Sequence, residues 1–282
     1  KNPVDLSIGQ PHFPVPDSVK EAAVRAIRDD RNRYTVTQGI PALNEAVLDG
    51  IERRTGVRPE SSLVTAGVAG GLTLGFLALL DESDRALIPD PYFVCYRNLG
   101  ALLGREPACY DTYPDFRITE ERLEAGMRED VRLLLVNSPS NPTGRVLTVE
   151  ELKICASFAR RHDLVIVTDE IYDAFAYDGP VPSILSYYDQ VLFLGGFGKT
   201  YGMPGWRLGY AAGPEDVIER MRALQQVSFV CAPAPLQHAA LVALELDMKP
   251  YVDAYRQKRD RIFDGLKDVL DIVRPDGAFY LF

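Results

Sequence analysis

The sequence has 282 residues, of which 46% are hydrophobic and 25% charged, a composition typical of globular proteins. Its formal net charge of -9 argues against a nucleic-acid-binding surface and against attraction to an anionic membrane. No apolar run approaches the roughly 18 residues that a membrane-spanning helix needs, and the sequence does not open with a signal-peptide pattern. We therefore expect a cytoplasmic protein with neither a nucleic acid nor a membrane among its partners.

The first predicted elements are helices. Apolar residues recur on one face between Val19 and Ile27, shortly after Pro16, which is the pattern of an amphipathic helix. A glycine-rich segment, residues 67–71, then leads into the apolar residues 72–80, which predict a mostly buried helix.

Short, continuous apolar runs alternate with helical patterns through the middle of the chain, and such runs are typical of strands buried on both faces. The runs are residues 86–88, 133–136, 164–167 and 191–194. Between the second and the third lies a helix whose start has a capping box formed by Thr148 and Glu151. This order predicts an α/β fold with a mostly parallel, doubly wound sheet, to which residues 208–212 add a further strand.

The remainder of the chain is mainly helical in pattern. We expect helices at residues 217–227, 235–246 and 251–270. Residues 278–282 form an apolar, strand-like run for which the sequence offers no obvious partner strand. The cysteines are isolated from one another, so we expect free thiols and no bound metal.

Reactive side chains follow three of the predicted strands. Ligands of open parallel sheets bind beyond the carboxyl ends of the strands, so the segments 137–144 (NSPSNPTG), 169–172 (DEIY) and 195–199 (GGFGK) should meet at one edge. They bring an amide, a carboxylate, a phenol and an amine together. Taken alone, Asp169 is equally compatible with a helix cap or a metal ligand.

Two cationic residues in this region are candidates for catalysis or ligand binding. Lys199 follows a buried strand and a glycine cluster, where a lysine can have a lowered pKa and attack a carbonyl group, although a surface lysine is the alternative. Arg207 suits bidentate phosphate binding or a structural salt bridge. The glycine-rich residues 67–71 could offer backbone N–H groups to the same phosphate.

Taken together and in order, these segments resemble the fold-type I pyridoxal-phosphate enzymes, in particular the class I/II aminotransferases such as aspartate aminotransferase. Residues 137–144 are similar to the family's N-x-P-x-N-P-T-G loop, residues 169–172 to its D-E-x-Y segment, and residues 199–210 to its lysine segment. The resemblance covers essentially the whole chain. It implies a pyridoxal-phosphate-dependent transaminase that moves an amino group between an amino acid and a 2-oxo acid through a Schiff base on Lys199.

The resemblance also implies catalytic roles. Lys199 would hold the cofactor and shuttle a proton, and Asp169 would keep the pyridine nitrogen protonated. Tyr172 and Asn141 would hydrogen-bond the phenolic oxygen of the cofactor.

Further binding roles follow from the same resemblance. The phosphate would be held by Arg207 and by the backbone amides of Val68, Ala69 and Gly70. Phe93 would stack on the cofactor ring, with plain core packing as its alternative role.

Substrate and subunit contacts are implied as well. Gly9 would approach the carboxylate of the substrate, and Asn141 would also lie near the substrate. Tyr34 would reach the phosphate of the neighbouring subunit, so the resemblance implies a homodimer with shared sites.

The sequence departs from the family pattern in two respects. Gly196 and Gly198 stand where many relatives have serines, which shifts the phosphate contacts toward Arg207, backbone amides and Tyr34. No residue can be assigned to the arginine that clamps the substrate carboxylate in the family, so we expect a small α+β domain that is incomplete at its C-terminal end. The predicted division is a large cofactor domain at residues 30–240 and a small domain formed by residues 1–29 and 241–282.

Two other functions remain possible at this point. One is a pyridoxal-phosphate lyase that breaks C–S bonds, although residues 205–207 favour the aminotransferases. The other is a non-catalytic, cofactor-sensing domain of a transcription regulator.

Overall fold

A computed structural model describes residues 8–282, and the structural statements below concern that part of the chain. The predicted segment at Gly9 lies at its beginning. In chain order the elements are α1 Asp17–Arg28, α2 Pro41–Thr55, β1 Ser61–Thr65, α3 Gly67–Leu79, β2 Arg85–Asp90, α4 Val94–Leu102, β3 Ala108–Asp111, α5 Glu120–Gly126, β4 Val131–Asn137, α6 Val149–His162, β5 Val165–Asp169, β6 Val191–Gly196, β7 Gly209–Gly213, α7 Glu215–Ser228, α8 Ala234–Leu244 and α9 Lys249–Leu266.

The strands form one seven-stranded sheet in the order β1-β7-β6-β5-β4-β2-β3. The strands β3, β2, β4, β5 and β6 run parallel to one another, whereas β7 is antiparallel to both β6 and β1. This arrangement confirms the predicted α/β class and the mostly parallel sheet. The carboxyl ends of β4, β5 and β6 therefore lie side by side.

The central strands separate two hydrophobic cores. In β4, Leu134 and Val136 belong to one core, whereas Leu133 and Leu135 belong to the other. All four side chains are fully buried. Burial on both faces explains why the predicted strands appear in the sequence as continuous apolar runs instead of alternating ones.

Two helices near the site begin in different ways. The predicted capping box is present at the start of α6, because Thr148 accepts from the backbone of Glu151 while the Glu151 side chain accepts from the backbone of Thr148. At α3, by contrast, the residue before the helix is Ala66, and no side chain caps the first backbone N–H groups. Gly67 has a φ of +71°, a conformation that favours glycine.

The prediction of a strand at residues 278–282 was wrong. Gly277 makes one isolated antiparallel bridge to Ala176, and Ala278 then takes a left-handed φ of +52°. The backbone N–H of Ala278 donates to the carbonyl of Phe175 at 2.8 Å. Because loops supply the backbone hydrogen bonds here, the apolar run needs no partner strand.

The two-domain division of the chain stays a prediction. α1 packs against α8, and its buried face shares the core that contains α2 and the central strands. α9 contributes to a separate small core with Phe13, Phe175 and Met248. Within residues 8–282, no helix has the length and apolar character needed to cross a membrane.

Candidate active site

A cavity of about 540 Å³ opens at the carboxyl ends of the central strands. It is bounded by the start of α3, the start of α4 and the loops that follow β4, β5 and β6. The structure brings most of the predicted site residues to its wall: Gly9, Val68, Ala69, Phe93, Asn141, Asp169, Tyr172, Lys199 and Arg207. Gly70 and Tyr34 do not line this cavity.

Asp169 ends β5 and forms part of the buried floor of the cavity. Its Oδ2 accepts a hydrogen bond from the hydroxyl of Tyr96 at 2.8 Å, and its Oδ1 accepts one from the backbone N–H of Ile171 at 3.2 Å. Burial raises the pKa of Asp169 to about 6, against the opposing effects of Tyr96, Ile171 and Lys199. A positively charged group placed beside Asp169 would favour the ionised form of its carboxyl group.

Tyr96 is a site residue that the sequence did not reveal. It lies in α4, is 1% exposed, and its ring meets that of Phe93 edge-on at 5.6 Å between centroids. The available signal was its position three residues after Phe93, which places both on one side of the start of α4. That spacing predicts proximity to the cavity but not a hydrogen bond to Asp169.

Lys199 projects into the cavity from the loop after β6. Its Nζ donates to the backbone carbonyl of Gly9 at 2.5 Å, and it lies 5.7 Å from the ring centroid of Tyr172 and 5.8 Å from that of Phe279. Burial lowers the pKa of Lys199, and the positive charge of Arg207 adds to this effect while Asp169 opposes it. A lowered pKa increases the fraction of neutral, nucleophilic amine at neutral pH.

Tyr172 and Asn141 both line the cavity, and their side chains are in contact. The side chain of Asn141 hydrogen-bonds the hydroxyl of Tyr172 in the sense that lowers the pKa of the phenol, whereas burial is the largest effect and raises it. Tyr172 is 3% exposed and also hydrogen-bonds the hydroxyl of Tyr280. The backbone N–H of Asn141 donates to Asn137 Oδ1 at 2.7 Å, which ties this loop to the end of β4.

The end of the cavity formed by Arg207 and the start of α3 carries positive charge and backbone N–H groups. Arg207 lines it and donates to the carbonyl of Pro204 at 3.0 Å. Among residues 8–282, no carboxylate forms an ion pair with Arg207, so the salt-bridge alternative finds no partner there. Because α3 begins without a side-chain cap, the first N–H groups of α3 and the positive end of its dipole face the same space.

Close packing explains why glycines are found around this end. A Cβ atom on Gly67 would lie 2.8 Å from Arg207 Nη2, and one on Gly209 would lie 2.7 Å from the backbone nitrogen of Val68. A Cβ on Gly196 would lie 3.0 Å from Ile171 Cδ1. The backbone therefore approaches the cavity more closely than it could with side chains at these positions.

Tyr34 lies outside the cavity of its own chain and is 84% exposed. Val36, Val227, Phe229 and Val230 are exposed apolar residues of the segments nearby. The segment of Tyr34 and Val36 is linked to the segment of Val227, Phe229 and Val230, because Gln225 Nε2 donates to the carbonyl of Thr37 at 2.7 Å.

The match to a known family decides what kind of protein this is. The family model described as aminotransferase class I and II matches residues 1–282. The chain belongs to the class I and II aminotransferases. This confirms the family resemblance found in residues 137–144, 169–172 and 199–210, and it confirms transamination as the activity.

Individual relatives agree. The aminotransferase is 36% identical over 290 residues to the probable aspartate aminotransferase of Methanocaldococcus jannaschii, a match that covers 99% of this chain and 77% of the relative. It is 34% identical over 294 residues to aromatic-amino-acid aminotransferase 2 of Thermococcus litoralis, covering 99% of this chain and 76% of that one. The structure of Thermus thermophilus aspartate aminotransferase with maleate has a TM-score of 0.94 at 36% identity, covering 98% of this chain and 75% of that chain.

These relatives bear on the alternatives that the sequence left open. All three are aminotransferases by name, and they do not favour the C–S lyase or the sensor domain. The aminotransferase therefore acts on an amino acid and a 2-oxo acid.

Proposed function

We propose that this aminotransferase binds pyridoxal 5'-phosphate in the cavity described above and holds it covalently through Lys199. When bound, pyridoxal phosphate supplies an aldehyde for attachment to an amine and a ring that takes up electrons during amino transfer. The observation that carries the proposal is the convergence of Lys199, Asp169 and Arg207 on one cavity.

The charges of the cavity fit the two ends of this cofactor. A phosphate dianion needs cations and N–H donors, which Arg207 and the uncapped start of α3, including Val68 and Ala69, provide. A protonated pyridine nitrogen needs a carboxylate, which Asp169 provides at the buried floor. We propose that the N–H of Gly70 joins this set, since it also belongs to the first turn of α3.

Lys199 is suited to form and break a covalent bond to a carbonyl carbon. Burial favours its neutral form, whose lone pair can attack. With pyridoxal phosphate bound, the neutral Nζ would be able to take up and release the proton of the substrate α-carbon. Because Nζ already touches the carbonyl of Gly9, we propose that substrate and lysine meet in this part of the cavity.

Asp169 would hold the proton of the pyridine nitrogen in place. Burial raises its pKa to about 6, although the positive charge of Lys199 opposes the rise. A pyridinium N–H within hydrogen-bond distance would favour the ionised carboxylate. Tyr172 and Asn141 would donate to the phenolic oxygen at the opposite side of the ring, and Phe93 would cover a ring face. Gly9 and Asn141 would contact the substrate.

Borohydride reduction tests the covalent attachment. After incubation with pyridoxal phosphate and reduction, mass spectrometry should find one cofactor per chain on the peptide that contains Lys199. Lys199→Ala should abolish this labelling, and Lys153→Ala, which removes an exposed lysine of α6, should leave it intact. One cofactor per chain in the Lys199→Ala variant would refute the assignment.

A second measurement tests amino transfer. Addition of an amino acid to the cofactor-loaded protein should yield the 2-oxo acid and the aminated cofactor. Release of pyruvate and ammonia would instead indicate lyase chemistry. A panel of acidic, aromatic and small amino acids would define the substrate class.

We further propose that the protein acts as a homodimer in which Tyr34 reaches the phosphate site of the neighbouring subunit. The support is the 84% exposure of Tyr34 together with exposed apolar side chains, since groups of apolar residues are typical of interfaces. These side chains are Val36, in the same segment, and Val227, Phe229 and Val230, in the segment that Gln225 links to Thr37. Phe229 lies near Gly70, so this surface borders the phosphate end of the cavity.

Hybrid dimers test the shared site. A Tyr34→Ala chain retains Lys199, and a Lys199→Ala chain retains Tyr34. If Tyr34 acts across the interface, mixing and refolding the two variants should produce one complete site per hybrid, with cofactor affinity near that of the unsubstituted protein. If Tyr34 acts within its own chain, or the protein is monomeric, mixing should restore nothing.

A further inference from the structure

The segment that follows α9, residues 275–282, returns to the cavity and is attached to its rim. The backbone N–H of Gly277 donates to the carbonyl of Gly144, and that of Ala278 donates to the carbonyl of Phe175, both at 2.8 Å. These two bonds tie the segment to the loop after β4 and to the loop after β5. The segment therefore has a fixed position relative to both catalytic loops.

A left-handed turn directs the end of this segment toward the cavity. Ala278 has a φ of +52° and is fully buried, and its carbonyl accepts a hydrogen bond from the hydroxyl of Tyr177. The turn places Phe279 beside Tyr172, with their ring centroids 5.3 Å apart and edge-on. Tyr280 follows and lines the cavity itself.

The hydroxyl of Tyr280 touches two other groups of the site. It forms a hydrogen bond with the hydroxyl of Tyr172. It also lies against Gly9, where any Cβ atom would collide with it. The carbonyl of Gly9 accepts a hydrogen bond from the Nζ of Lys199. The Tyr280 hydroxyl therefore lies close both to the phenol of Tyr172 and to the residue that binds the amine of Lys199.

The number of protons on these hydroxyls limits how they can be arranged. A phenol oxygen has one proton to donate and can accept two hydrogen bonds. In the pair formed by Tyr172 and Tyr280, either hydroxyl could be the donor. If Tyr280 donates, the proton of Tyr172 is left free to point elsewhere. If Tyr172 donates to Tyr280, it has no proton left for a ligand.

On the basis of the proposed function, we infer that Tyr280 is a positioning residue that donates its hydroxyl proton to Tyr172 and thereby directs the Tyr172 proton toward the phenolic oxygen of the cofactor. A hydrogen bond from Tyr172 draws negative charge away from that oxygen. The oxygen then holds the proton on the nitrogen contributed by Lys199 less strongly. Tyr280 thus acts on the basicity of the Lys199 nitrogen through Tyr172.

The visible absorption of the cofactor-loaded protein measures this basicity. It changes with pH as the Lys199 nitrogen gains or loses its proton, and the midpoint is the pKa of that nitrogen. Tyr280→Phe removes one hydroxyl group, so we expect its midpoint to be higher by about half to one pH unit. Tyr172→Phe should raise the midpoint as well, and adding Tyr280→Phe to it should cause no further change.

Tyr255→Phe is the matched control. Its hydroxyl accepts from the backbone N–H of His12 at 2.9 Å and belongs to the same aromatic cluster, but it does not line the cavity. We expect its midpoint to equal that of the unsubstituted protein, and thermal unfolding should confirm that all variants are folded.

The failure of this inference differs from the failure of the proposed function. An unchanged or lower midpoint in Tyr280→Phe, or a further change when it is added to Tyr172→Phe, would overturn the positioning role alone. Absence of any cofactor absorption that depends on Lys199 in the unsubstituted protein would overturn the proposed function and this inference with it.

Discussion

The hydroxyl group of Tyr96 donates a hydrogen bond to Asp169 Oδ2 over 2.8 Å, and both side chains are buried. Burial raises the pKa of Asp169 to about 6, and the bond from Tyr96 is the largest effect that opposes this rise. The tyrosine therefore favours the ionised form of the carboxylate that the cofactor needs. Of the two hydrogen bonds to the Asp169 carboxylate, one from the backbone N–H of Ile171 and one from Tyr96, only the bond from Tyr96 can be removed without changing the backbone.

We expect Tyr96→Phe to raise the pKa of Asp169 further and to weaken cofactor binding by about 10- to 100-fold, because a hydrogen bond to a charged group is lost. Titration of pyridoxal phosphate binding at several pH values measures both effects. Tyr110→Phe is the control, since Tyr110 is equally buried but donates to the carbonyl of Leu135, away from the cavity. Equal affinities in the two variants would contradict the role of Tyr96.

Asp169→Asn should stabilise the cofactor-free protein at neutral pH. The pKa of Asp169 is about 6 in the folded protein, against 3.8 for an ordinary aspartate. Its contribution to stability is therefore present below about pH 4 and is lost as the pH rises through about 6. Asparagine does not ionise, so the stability advantage of the variant should grow across this window to at most about 3 kcal/mol.

Urea unfolding of the cofactor-free protein between pH 4 and pH 8 measures this advantage. Asp271→Asn, at an exposed position, provides the comparison. Parallel stability profiles for Asp169→Asn and the unsubstituted protein would show that Asp169 titrates as an ordinary carboxyl group. The same variant should bind pyridoxal phosphate poorly, which would separate the stability effect from the function of the residue.

Some elements could be predicted from the sequence because their burial produces a recognisable local pattern of apolar residues. The central strands are buried on both faces, so β4 to β6 appear as continuous apolar runs. β1 is as long as β5 but escaped prediction because its sequence, SSLVT, has only two consecutive apolar residues. β3 has four residues with alternating exposure. The strand expected at residues 278–282 was wrong because Ala278, Phe279 and Tyr280 belong to the small core around α9, and Tyr280 also lines the cavity. The ring of Phe282 instead meets those of Tyr113 and Phe116.

Among the site residues, some could be found from their position after a strand, whereas others could not. Lys199, Asp169 and Asn141 could be found because each follows a strand of one parallel sheet, which places them at a common edge. Tyr96 lies 73 residues from Asp169, and Tyr280 lies 108 residues from Tyr172. No local pattern connects such pairs, because only the packing of α4 and of the segment after α9 brings them together.

Arg207→Gln should weaken binding of pyridoxal phosphate by about 10- to 100-fold, since a charge-assisted, forked contact to phosphate is lost. Binding of pyridoxal, which has no phosphate, should change little. Comparison of the two ligands by absorbance titration therefore isolates the phosphate contact, and Arg28→Gln, an exposed residue of α1, tests for a general effect of charge. Equal losses for both ligands would place Arg207 away from the phosphate.

A buried ion pair, whose two residues do not line the cavity, supports the loop after β5. Arg54 Nη2 lies 2.5 Å from Glu170 Oε2, whose side chain is 2% exposed. Ser183 donates to Glu170 Oε1 at 2.7 Å. Burial raises the pKa of Glu170, and Arg54 is the largest effect that opposes the rise.

Arg54→Ala should destabilise the protein by about 3–5 kcal/mol, because it leaves the carboxylate of Glu170 buried without its counter-charge. The loss of Arg54 raises the pKa of Glu170 further, so protonation relieves the penalty and the deficit should be smaller at pH 5 than at pH 8. Arg54 pairs with two carboxylates, those of Glu170 and Asp173, and Glu170 is the more buried of the two. Adding Glu170→Gln removes the more buried unpaired charge, so the double variant should be more stable than Arg54→Ala at pH 8. Urea unfolding at both pH values measures these differences. Equal deficits for the single and double variants, with no dependence on pH, would mean that Arg54 stabilises this loop by packing and not by its charge.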